Sequence, residues 1–280
     1  MYHILVVGAG YAGSRIAHYF KDQKQKVWAV TRTERRNVEF EKNGIQPIIA
    51  DLTQPETLEV IPPAHFIVLC PAPDEGSEEN YRKIYIDGIQ NFLDSLKNKP
   101  RPSLILYLSS TAVWRSREGG WVDEMIAPDP DTEKGRILVQ AERNILESGY
   151  PAVVFRLSGI YGPGRNRLQV LESGKISQEE NSYMNRIHVE DVIRAVPVLF
   201  KKGEAGQVYT GVDDSPILSS DFYKELSELT GKKMDLNFPE QASGKRCRNT
   251  KLKSLGFEFL YPTFREGYES LLKYKANPKF

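Results

Sequence analysis

The chain has 280 residues, and its 38 lysines and arginines against 37 aspartates and glutamates leave a formal net charge of only +1. Hydrophobic residues make up 40% and charged residues 27%, which is typical of a globular protein with one large domain, or a large domain and a smaller lobe. The balanced charge argues against nucleic acid or an anionic membrane surface as a partner, and no apolar run reaches the roughly 18 residues that span a bilayer.

Two cysteines, Cys70 and Cys247, have neither the number nor the spacing of a disulfide framework or a metal site. Cys70 ends an apolar run, where a buried structural thiol is the favoured interpretation. The apolar residues 4–7 are too few for a signal peptide. We therefore expect a cytoplasmic protein without a metal ion, acting on a small molecule. A homodimer is compatible with the sequence, which does not determine the oligomeric state.

Strand and helix patterns alternate through the first part of the chain. Short β-rich runs predict six strands, at residues 2–7, 26–31, 45–50, 66–70, 104–108 and 152–157. Apolar spacing predicts helices between them, at residues 12–24, 81–96 and 137–146, with a short one opened by a capping box of Thr53 and Glu56. Alternation of this kind predicts an α/β Rossmann fold, in which a doubly wound parallel sheet is covered on both faces.

Pro47 lies within the third predicted strand and removes a donor from the hydrogen-bond ladder, so this strand should form a sheet edge. The strand order 3-2-1-4-5-6 satisfies that condition. After Gly164 the pattern loosens, with a short strand near 207–210 and helices from about 220 and 264. We predict a Rossmann domain at 1–164 and a smaller α/β lobe at 165–280, some of whose late elements return to the sheet.

The turn after the first strand carries the pattern Gly-x-Gly-x-x-Gly at Gly8, Gly10 and Gly13. It follows a strand and opens a helix, which is the context of a dinucleotide-binding turn. The first glycine permits the turn, the second admits the pyrophosphate and the third allows helix and strand to pack. The helix N-terminus supplies N–H donors, so Tyr11 and Ala12 are expected contacts.

The second strand ends at Thr31 and Arg32, where NAD-binding proteins usually carry an acidic residue for the adenosine ribose. A missing carboxylate and a guanidinium favour the 2′-phosphate of NADP, with NAD as the alternative. The remaining expected cofactor contacts lie in the loop after this strand and at the ends of the third, fourth and fifth strands: Arg35, Asp51, Leu52, Cys70, Pro71 and Ser109. Asp51 could equally begin a helix cap.

Three further segments resemble the extended short-chain dehydrogenase/reductase superfamily, in particular its NAD-dependent epimerase/dehydratase group. Residues 108–114, LSSTAVW, are similar to its strand-five motif SSxxVYG. Residues 156–164, RLSGIYGPG, are similar to its strand-six loop RPxxxYGPG, and residues 185–192, NRIHVEDV, to its IHVxDV segment. With the glycine turn these segments cover most of the chain in the order of the superfamily.

The resemblance implies that Ser110, with Thr111 beside it, hydrogen-bonds the substrate hydroxyl or carbonyl. The superfamily's proton-transfer tyrosine and the lysine four residues later fall on Lys134 and Leu138, and no tyrosine occurs between Tyr107 and Tyr150. The chain therefore resembles atypical members that keep the cofactor turn and lose the Tyr-x-x-x-Lys pair.

Two residues could replace the tyrosine. Tyr161 belongs to the strand-six loop, which borders the nicotinamide in the superfamily, and Lys134 occupies the tyrosine position itself. A packed loop aromatic and an exposed helix lysine are the simpler interpretations, and both stay open. Arginines that could meet a phosphorylated or nucleotide-linked ligand are Arg165, Arg186 and Arg246.

The resemblance predicts an oxidoreductase or epimerase-like enzyme acting on a carbonyl or hydroxyl of a small substrate, sugar- or nucleotide-linked in the superfamily. The alternative is a non-catalytic NADP-binding regulatory or sensor protein.

Overall fold

The computed structural model describes residues 1–174 and 176–276. Its strands, in chain order, are β1 (His3–Val7), β2 (Lys26–Thr31), β3 (Gln46–Ile49), β4 (Phe66–Leu69), β5 (Leu104–Ser110), β6 (Gly120–Val122), β7 (Ala152–Leu157), β8 (Gly159–Tyr161), β9 (Asn181–Met184), β10 (Arg186–His188), β11 (Val208–Gly211), β12 (Ile217–Leu218), β13 (Ala242–Ser243) and β14 (Lys245–Cys247). Seven of these form the central sheet, in the order β11-β7-β5-β4-β1-β2-β3.

The α-helices are α1 (Tyr11–Asp22), α2 (Asn37–Lys42), α3 (Glu78–Arg82), α4 (Ile89–Ser95), α5 (Glu133–Leu146), α6 (Leu168–Ser173), α7 (Val189–Lys202), α8 (Ser219–Thr230), α9 (Thr250–Ser254) and α10 (Phe264–Ala276). Short 3₁₀ turns lie at Glu34–Arg36, Pro55–Leu58 and Thr111–Val113, and a π-helical turn lies at Lys83–Gly88. No helix within the described ranges is both long and apolar enough to cross a membrane.

The sheet confirms the predicted Rossmann fold. The six predicted strands correspond to β1–β5 and β7 and take the order 3-2-1-4-5-6, with β11 added beyond the sixth. All strand pairs from β3 through β5 are parallel. Pro47 lies in β3, the edge strand, as its missing N–H predicts.

The helix predicted for 81–96 is confirmed as an unbroken helical segment from Glu78 to Ser95, within which Lys83–Gly88 form a π-helical turn. Gly88 ends that turn with its Cα close against the Leu52 side chain, since a Cβ there would lie 2.9 Å from the Leu52 Cβ. One local prediction was wrong. The capping box of Thr53 and Glu56 is absent, because the Asp51 carboxylate accepts both the N–H and the hydroxyl of Thr53, each at 2.8 Å.

The chain folds into two compact units. The first consists of Met1–Val113, Pro128–Arg156 and Ile193–Tyr209, and the second of Trp114–Ala127, Leu157–Val192 and Thr210–Phe280, of which residues 175 and 277–280 lie outside the described ranges. The division into domains 1–164 and 165–280 stays a prediction, and the segment Ile193–Tyr209 beyond that boundary belongs to the first unit.

Each unit has its own apolar core. In the first, aliphatic side chains of the sheet pack against helix residues such as Phe92 and Ile145. In the second, Phe222 and Leu226 of α8 pack with Phe264 and Tyr268 of α10. The aliphatic core is typical of a parallel sheet covered by helices, whereas the second core combines aromatic rings with leucine side chains.

Candidate functional site

A cavity of about 350 Å³ lies within the first unit, where β1, β2 and β4 end. The strand order reverses at β1, between β2 and β4, and ligands of doubly wound sheets bind at such a point. The lining residues come from the ends of these strands and the loops that follow them, from the loop after β3 and from the π-helical turn. They are Val7, Gly8, Ala9, Gly10, Val30, Thr31, Arg32, Thr33, Arg36, Ala50, Asp51, Leu52, Cys70, Pro71, Ala72, Pro73, Asp74 and Ile84.

The three glycines of the turn have different surroundings. Gly8 has a φ of +96°, and a Cβ on it would lie 2.4 Å from the Cys70 carbonyl oxygen. A Cβ on Gly13 would lie 2.2 Å from the Gly8 carbonyl oxygen, which is the close helix–strand packing expected of the third glycine. A Cβ on Gly10 would meet nothing within 4 Å. Gly8 and Gly13 are therefore needed by the fold, and Gly10 leaves space in the cavity.

Helix α1 begins directly after this turn. Its first turn contains no acidic residue, and no side chain caps it at Gly10. The positive end of the helix is thus available to an anion at the cavity. The cradle left by Gly10 and this helix end fit the pyrophosphate of a dinucleotide, so the residues present are suited to the cofactor that the glycine pattern predicts.

Arg32 is paired with an aspartate from another loop. Its Nη1 donates to Asp74 Oδ2 at 2.6 Å, and its Nη2 donates to Asp74 Oδ1, which makes the contact bidentate. The hydrogen bond with Arg32 holds the pKa of the Asp74 carboxyl below its usual value, and the same bond raises the pKa of the guanidinium. Both groups are therefore charged at neutral pH.

The loop after β2 contributes a different arginine from the one expected. Arg35 and Arg36 are both exposed, but only Arg36 lines the cavity, where its Nη1 donates to the Ala9 carbonyl oxygen. Thr31 and Asp51 also line it. The Asp51 carboxylate accepts the Thr53 N–H in the turn after β3, but Gln54 is the N-cap of the 3₁₀ turn that follows, so Asp51 does not cap it.

Cys70 and Pro71 lie where β4 ends, on the wall of the cavity. The Cys70 Sγ donates to the Gly8 carbonyl oxygen at 3.1 Å. Burial raises the pKa of this thiol to about 12, so it stays protonated and unreactive. Its observed contact stabilises the glycine turn.

Ser109 takes part in a buried polar network of the first unit. Its Oγ donates to Glu142 Oε1 at 2.6 Å, and the Arg156 guanidinium donates to the same carboxylate, with Nη2 2.7 Å from Oε2. All three residues are buried. The Ser109 hydroxyl is thus engaged inside the protein rather than in the cavity lining.

Ser110 and Thr111 lie at the end of β5, where the strand passes into a 3₁₀ turn. The Ser110 Oγ accepts a hydrogen bond from the Ala112 N–H at 3.1 Å, and Ser110 is only partly buried. Thr111 is buried. Of the two hydroxyls, that of Ser110 is better placed to meet a ligand.

Lys134 lies in the first turn of α5, packed beside α3. Its Nζ is 5.4 Å from the centroid of the Tyr81 ring, and the residue is partly buried. Gly135 follows it, and a Cβ there would lie 2.8 Å from the Ala112 carbonyl oxygen. This tight packing fixes the start of α5 against the 3₁₀ turn after Ser110, in the same unit as the cavity.

Tyr161 lies in the second unit, in what we call the Tyr161 cluster: Tyr161, His188, Tyr261 and Tyr268. Its ring stacks on Tyr268 with centroids 5.2 Å apart and meets the His188 ring edge-on at 5.1 Å. Only 1% of the residue is exposed, and its hydroxyl has no hydrogen-bond partner within the described residues. Burial raises the pKa of this phenol well above 10, which opposes a role as a base.

The structure thus gathers many of the predicted cofactor residues around one cavity: Gly8, Gly10, Thr31, Arg32, Asp51, Leu52, Cys70 and Pro71. Tyr11, Ala12, Gly13, Arg35 and Ser109 do not line it. Sequence reasoning missed Asp74, Ile84 and the choice of Arg36. Asp74 follows a strand end at the cofactor edge of the sheet, a position that could have drawn attention to it.

The part of the chain that the structure describes contains no group of three His, Cys, Asp or Glu side chains that could hold a metal ion. The charged residues at the cavity are arginines and aspartates. The site therefore offers groups suited to phosphates and hydroxyls.

Known proteins resemble the whole chain. The model of the NAD dependent epimerase/dehydratase family matches residues 4–210. Protein YeeZ of Escherichia coli K12 is 27% identical over 278 residues, covering 94% of this chain and 97% of YeeZ. A candidate NAD-dependent epimerase/dehydratase from Methylobacillus flagellatus superposes with a TM-score of 0.84 at 26% identity, covering 99% of each chain.

A dTDP-glucose 4,6-dehydratase from Bacillus anthracis, solved in complex with NAD, superposes with a TM-score of 0.81 at 20% identity, covering 99% of this chain and 97% of its own. At that identity the likeness concerns the fold. It extends beyond the cofactor half of the chain to nearly its full length.

Proposed function

Since the chain belongs to the NAD-dependent epimerase/dehydratase family, we propose that it is an NAD(P)-binding, oxidoreductase- or epimerase-like enzyme. Its substrate is a small molecule with a carbonyl or hydroxyl group, of the sugar- or nucleotide-linked kind. The observation that carries the proposal is the cavity at the ends of β1, β2 and β4, whose second glycine leaves open space.

The glycine turn and the start of α1 would hold the pyrophosphate. The Gly10 backbone admits it, and the uncapped first turn of α1 presents N–H donors to its charge. Leu52 and Ile84 give the cavity an apolar wall. When bound, the nicotinamide supplies the hydride acceptor or donor.

Ser110 would donate a hydrogen bond to the substrate oxygen and polarise the carbonyl. Its hydroxyl accepts from the Ala112 N–H, which leaves its own proton to be donated outward. Lys134 would hold the proton that the superfamily tyrosine exchanges, because it occupies that sequence position and lies on the helix packed beside the Ser110 turn. Tyr161 is the weaker candidate, since its phenol is buried and difficult to ionise.

We further propose that NADP is preferred over NAD. Arg32 and Arg36 both line the cavity, and the loop after β2 presents no carboxylate to its lining. A guanidinium binds a phosphate through two parallel hydrogen bonds. Arg32→Ala should then weaken NADPH binding at least tenfold and NADH binding little.

The proposal is tested by titrating the protein with NADPH and NADH and following fluorescence. NADPH saturation at micromolar concentration, with weaker NADH, is the expected result. Absence of binding of both cofactors at millimolar concentration overturns the proposal. Incubation of the loaded protein with sugar nucleotides then tests chemistry, by transfer of deuterium from labelled cofactor to substrate; Ser110→Ala should abolish that transfer and leave cofactor affinity unchanged.

A non-catalytic sensor of NADP is the second candidate. The absent Tyr-x-x-x-Lys pair and the burial of Tyr161 favour it. A sensor binds cofactor as tightly as the enzyme does but transfers no label to any carbonyl compound. Ser110→Ala would then change neither cofactor binding nor the response of a partner.

A further inference from the structure

We propose that Asp74 is a cofactor-selecting residue, which holds the Arg32 guanidinium when no 2′-phosphate is present and releases it when NADP binds. The inference rests on the proposed function, because it concerns the same cavity. The arginines of this site favour binding of NADP, and Asp74 is a residue of the same site that weakens it.

Asp74 and Arg32 reach the cavity from different directions. Arg32 follows β2, and Asp74 lies in the loop after β4; both line the cavity. β1 separates these two strands in the sheet, so the ion pair connects two loops that flank the glycine turn. A ligand that uses Arg32 must therefore take it from Asp74 or share it.

The geometry of the pair is the one a phosphate would require. Both terminal nitrogens of Arg32 are engaged by the two carboxylate oxygens of Asp74. Bidentate binding of a 2′-phosphate uses the same two nitrogens. Carboxylate and phosphate thus compete for one face of one guanidinium, and simultaneous binding would bring two anions together.

The pair is weak enough to exchange. The Arg32 side chain is 41% exposed and that of Asp74 is 71% exposed, and an exposed ion pair shifts an equilibrium only by about two- to fivefold. A phosphate carries more charge than a carboxylate, so it can displace Asp74. Asp51 also interacts favourably with the Arg32 charge.

Selectivity follows from this exchange. NADH has no phosphate at the 2′ position, so it binds with the pair intact. NADPH must break the pair and place its phosphate near the freed carboxylate. Asp74 therefore lowers the affinity for NADPH selectively, and its removal should raise the preference for NADP.

The test measures dissociation constants for NADPH and NADH with the full chain and four variants: Asp74→Asn, Glu75→Gln, Arg32→Ala, and Arg32→Ala combined with Asp74→Asn. Asp74→Asn should tighten NADPH binding about three- to tenfold and change NADH binding less than twofold. Glu75→Gln removes the same charge from the neighbouring position of the same loop, so it should change either constant less than twofold. In the Arg32→Ala background, Asp74→Asn should give no gain.

Equal gains for both cofactors, a similar gain from Glu75→Gln, or a gain that persists without Arg32 would each overturn the assignment, because they indicate a general charge effect. Failure of the proposed function is distinct: neither cofactor would bind the unmodified chain. Adenosine 2′-monophosphate and adenosine 5′-monophosphate, used as probes, distinguish binding of the 2′-phosphate from binding of the rest of the nucleotide. Asp74→Asn should tighten binding of the 2′-monophosphate only.

Discussion

The cavity of the first unit and the Tyr161 cluster of the second differ in what their polar groups face. At the cavity, Arg32 and Asp74 are exposed and paired with each other, and Gly10 leaves open space. In the Tyr161 cluster, aromatic rings surround a hydroxyl that has no hydrogen-bond partner within the described residues. The polar groups at the cavity can exchange one polar partner for another, whereas the Tyr161 cluster excludes polar partners.

The two regions show that motifs of the same family pattern can serve different purposes, one lining a ligand cavity and the other packing a core. The glycine turn and the strand-six loop both match the family pattern, yet only the turn opens onto the cavity. Gly267 shows how closely Tyr161 is enclosed, because a Cβ there would overlap the Tyr161 hydroxyl, with 1.9 Å between the two atoms. A motif match therefore predicts a local conformation more securely than it predicts contact with a ligand.

Gly8→Ala should give the largest effect and tests whether the turn depends on its backbone. The new Cβ meets the Cys70 carbonyl oxygen at 2.4 Å, in a conformation with φ of +96° that alanine rarely adopts. We expect a loss of about 3–5 kcal/mol in the free energy of unfolding, measured by urea denaturation. A loss below about 1 kcal/mol would show that the turn can relax and would weaken the contrast with Gly10.

Gly10→Ala is the matched variant at the open position of the same turn. Its Cβ meets nothing, so the free energy of unfolding should change by less than about 0.5 kcal/mol. The methyl group occupies the space assigned to the pyrophosphate, and cofactor affinity should fall about tenfold or more, which corresponds to about 1.4 kcal/mol. Unchanged affinity for both NADPH and NADH would remove Gly10 from the binding site.

The fold was predictable because its signals are local and repeated. Short β-branched runs, the glycine turn and Pro47 at an edge together specified six strands and their order. Apolar spacing also predicted the helix at 81–96, but it does not record the π-helical turn at Lys83–Gly88 within that helix. The prediction of a capping box failed because the Asp51 carboxylate accepts the Thr53 N–H, which the Glu56 side chain would have accepted in such a box.

The residues of the candidate site were predictable where close backbone contacts restrict the residue type. They were less predictable where the site depends on pairing between charged side chains. Gly8 and Gly13 are dictated by close backbone contacts, which leave a fixed spacing in the sequence. The pairing of Arg32 with Asp74 joins residues 42 positions apart and leaves no such spacing. Ser109 was expected at the cofactor, but its hydroxyl is bound to Glu142, a tertiary contact that no strand-five motif displays.

Asp213→Asn tests whether the buried Asp213 carboxyl, whose charge acts on the Tyr161 phenol, is held neutral in the folded chain. Burial raises the pKa of the Asp213 carboxyl well above its usual value, against the opposing effects of the Ser215 N–H and Arg186. Because the pKa of Asp213 is higher in the folded state than in the unfolded state, its protonation contributes fully to stability below about pH 4, the ordinary pKa of an aspartate. This contribution is lost as the pH rises through the folded-state pKa. The neutral amide of the variant avoids this loss. It also keeps an oxygen acceptor for the Ser215 N–H, which donates to Asp213 Oδ1 at 3.1 Å in the natural chain.

We expect the Asp213→Asn variant to be more stable than the natural chain at pH 7, with a free energy of unfolding higher by about 1–3 kcal/mol. At pH 4 the two free energies of unfolding should differ little. Urea denaturation at both pH values measures this. Destabilisation at pH 7 would mean that Asp213 is ionised and paired in the folded chain, so that a charge lies beside the Tyr161 cluster.

Tyr161→Phe gives the smallest expected effect and bears most directly on the proton route. The Tyr161 hydroxyl has no hydrogen-bond partner among residues 1–174 and 176–276, so removing it costs none of the bonds seen there. The free energy of unfolding should stay equal or rise by about 1 kcal/mol or less. If Lys134 handles the proton, turnover stays within twofold, whereas loss of a general acid or base lowers turnover about a hundredfold or more. Unchanged folding and cofactor affinity with such a loss of turnover would transfer the catalytic role to Tyr161. The phenol would then have to reach the substrate, and the buried Tyr161 cluster would have to open during the reaction.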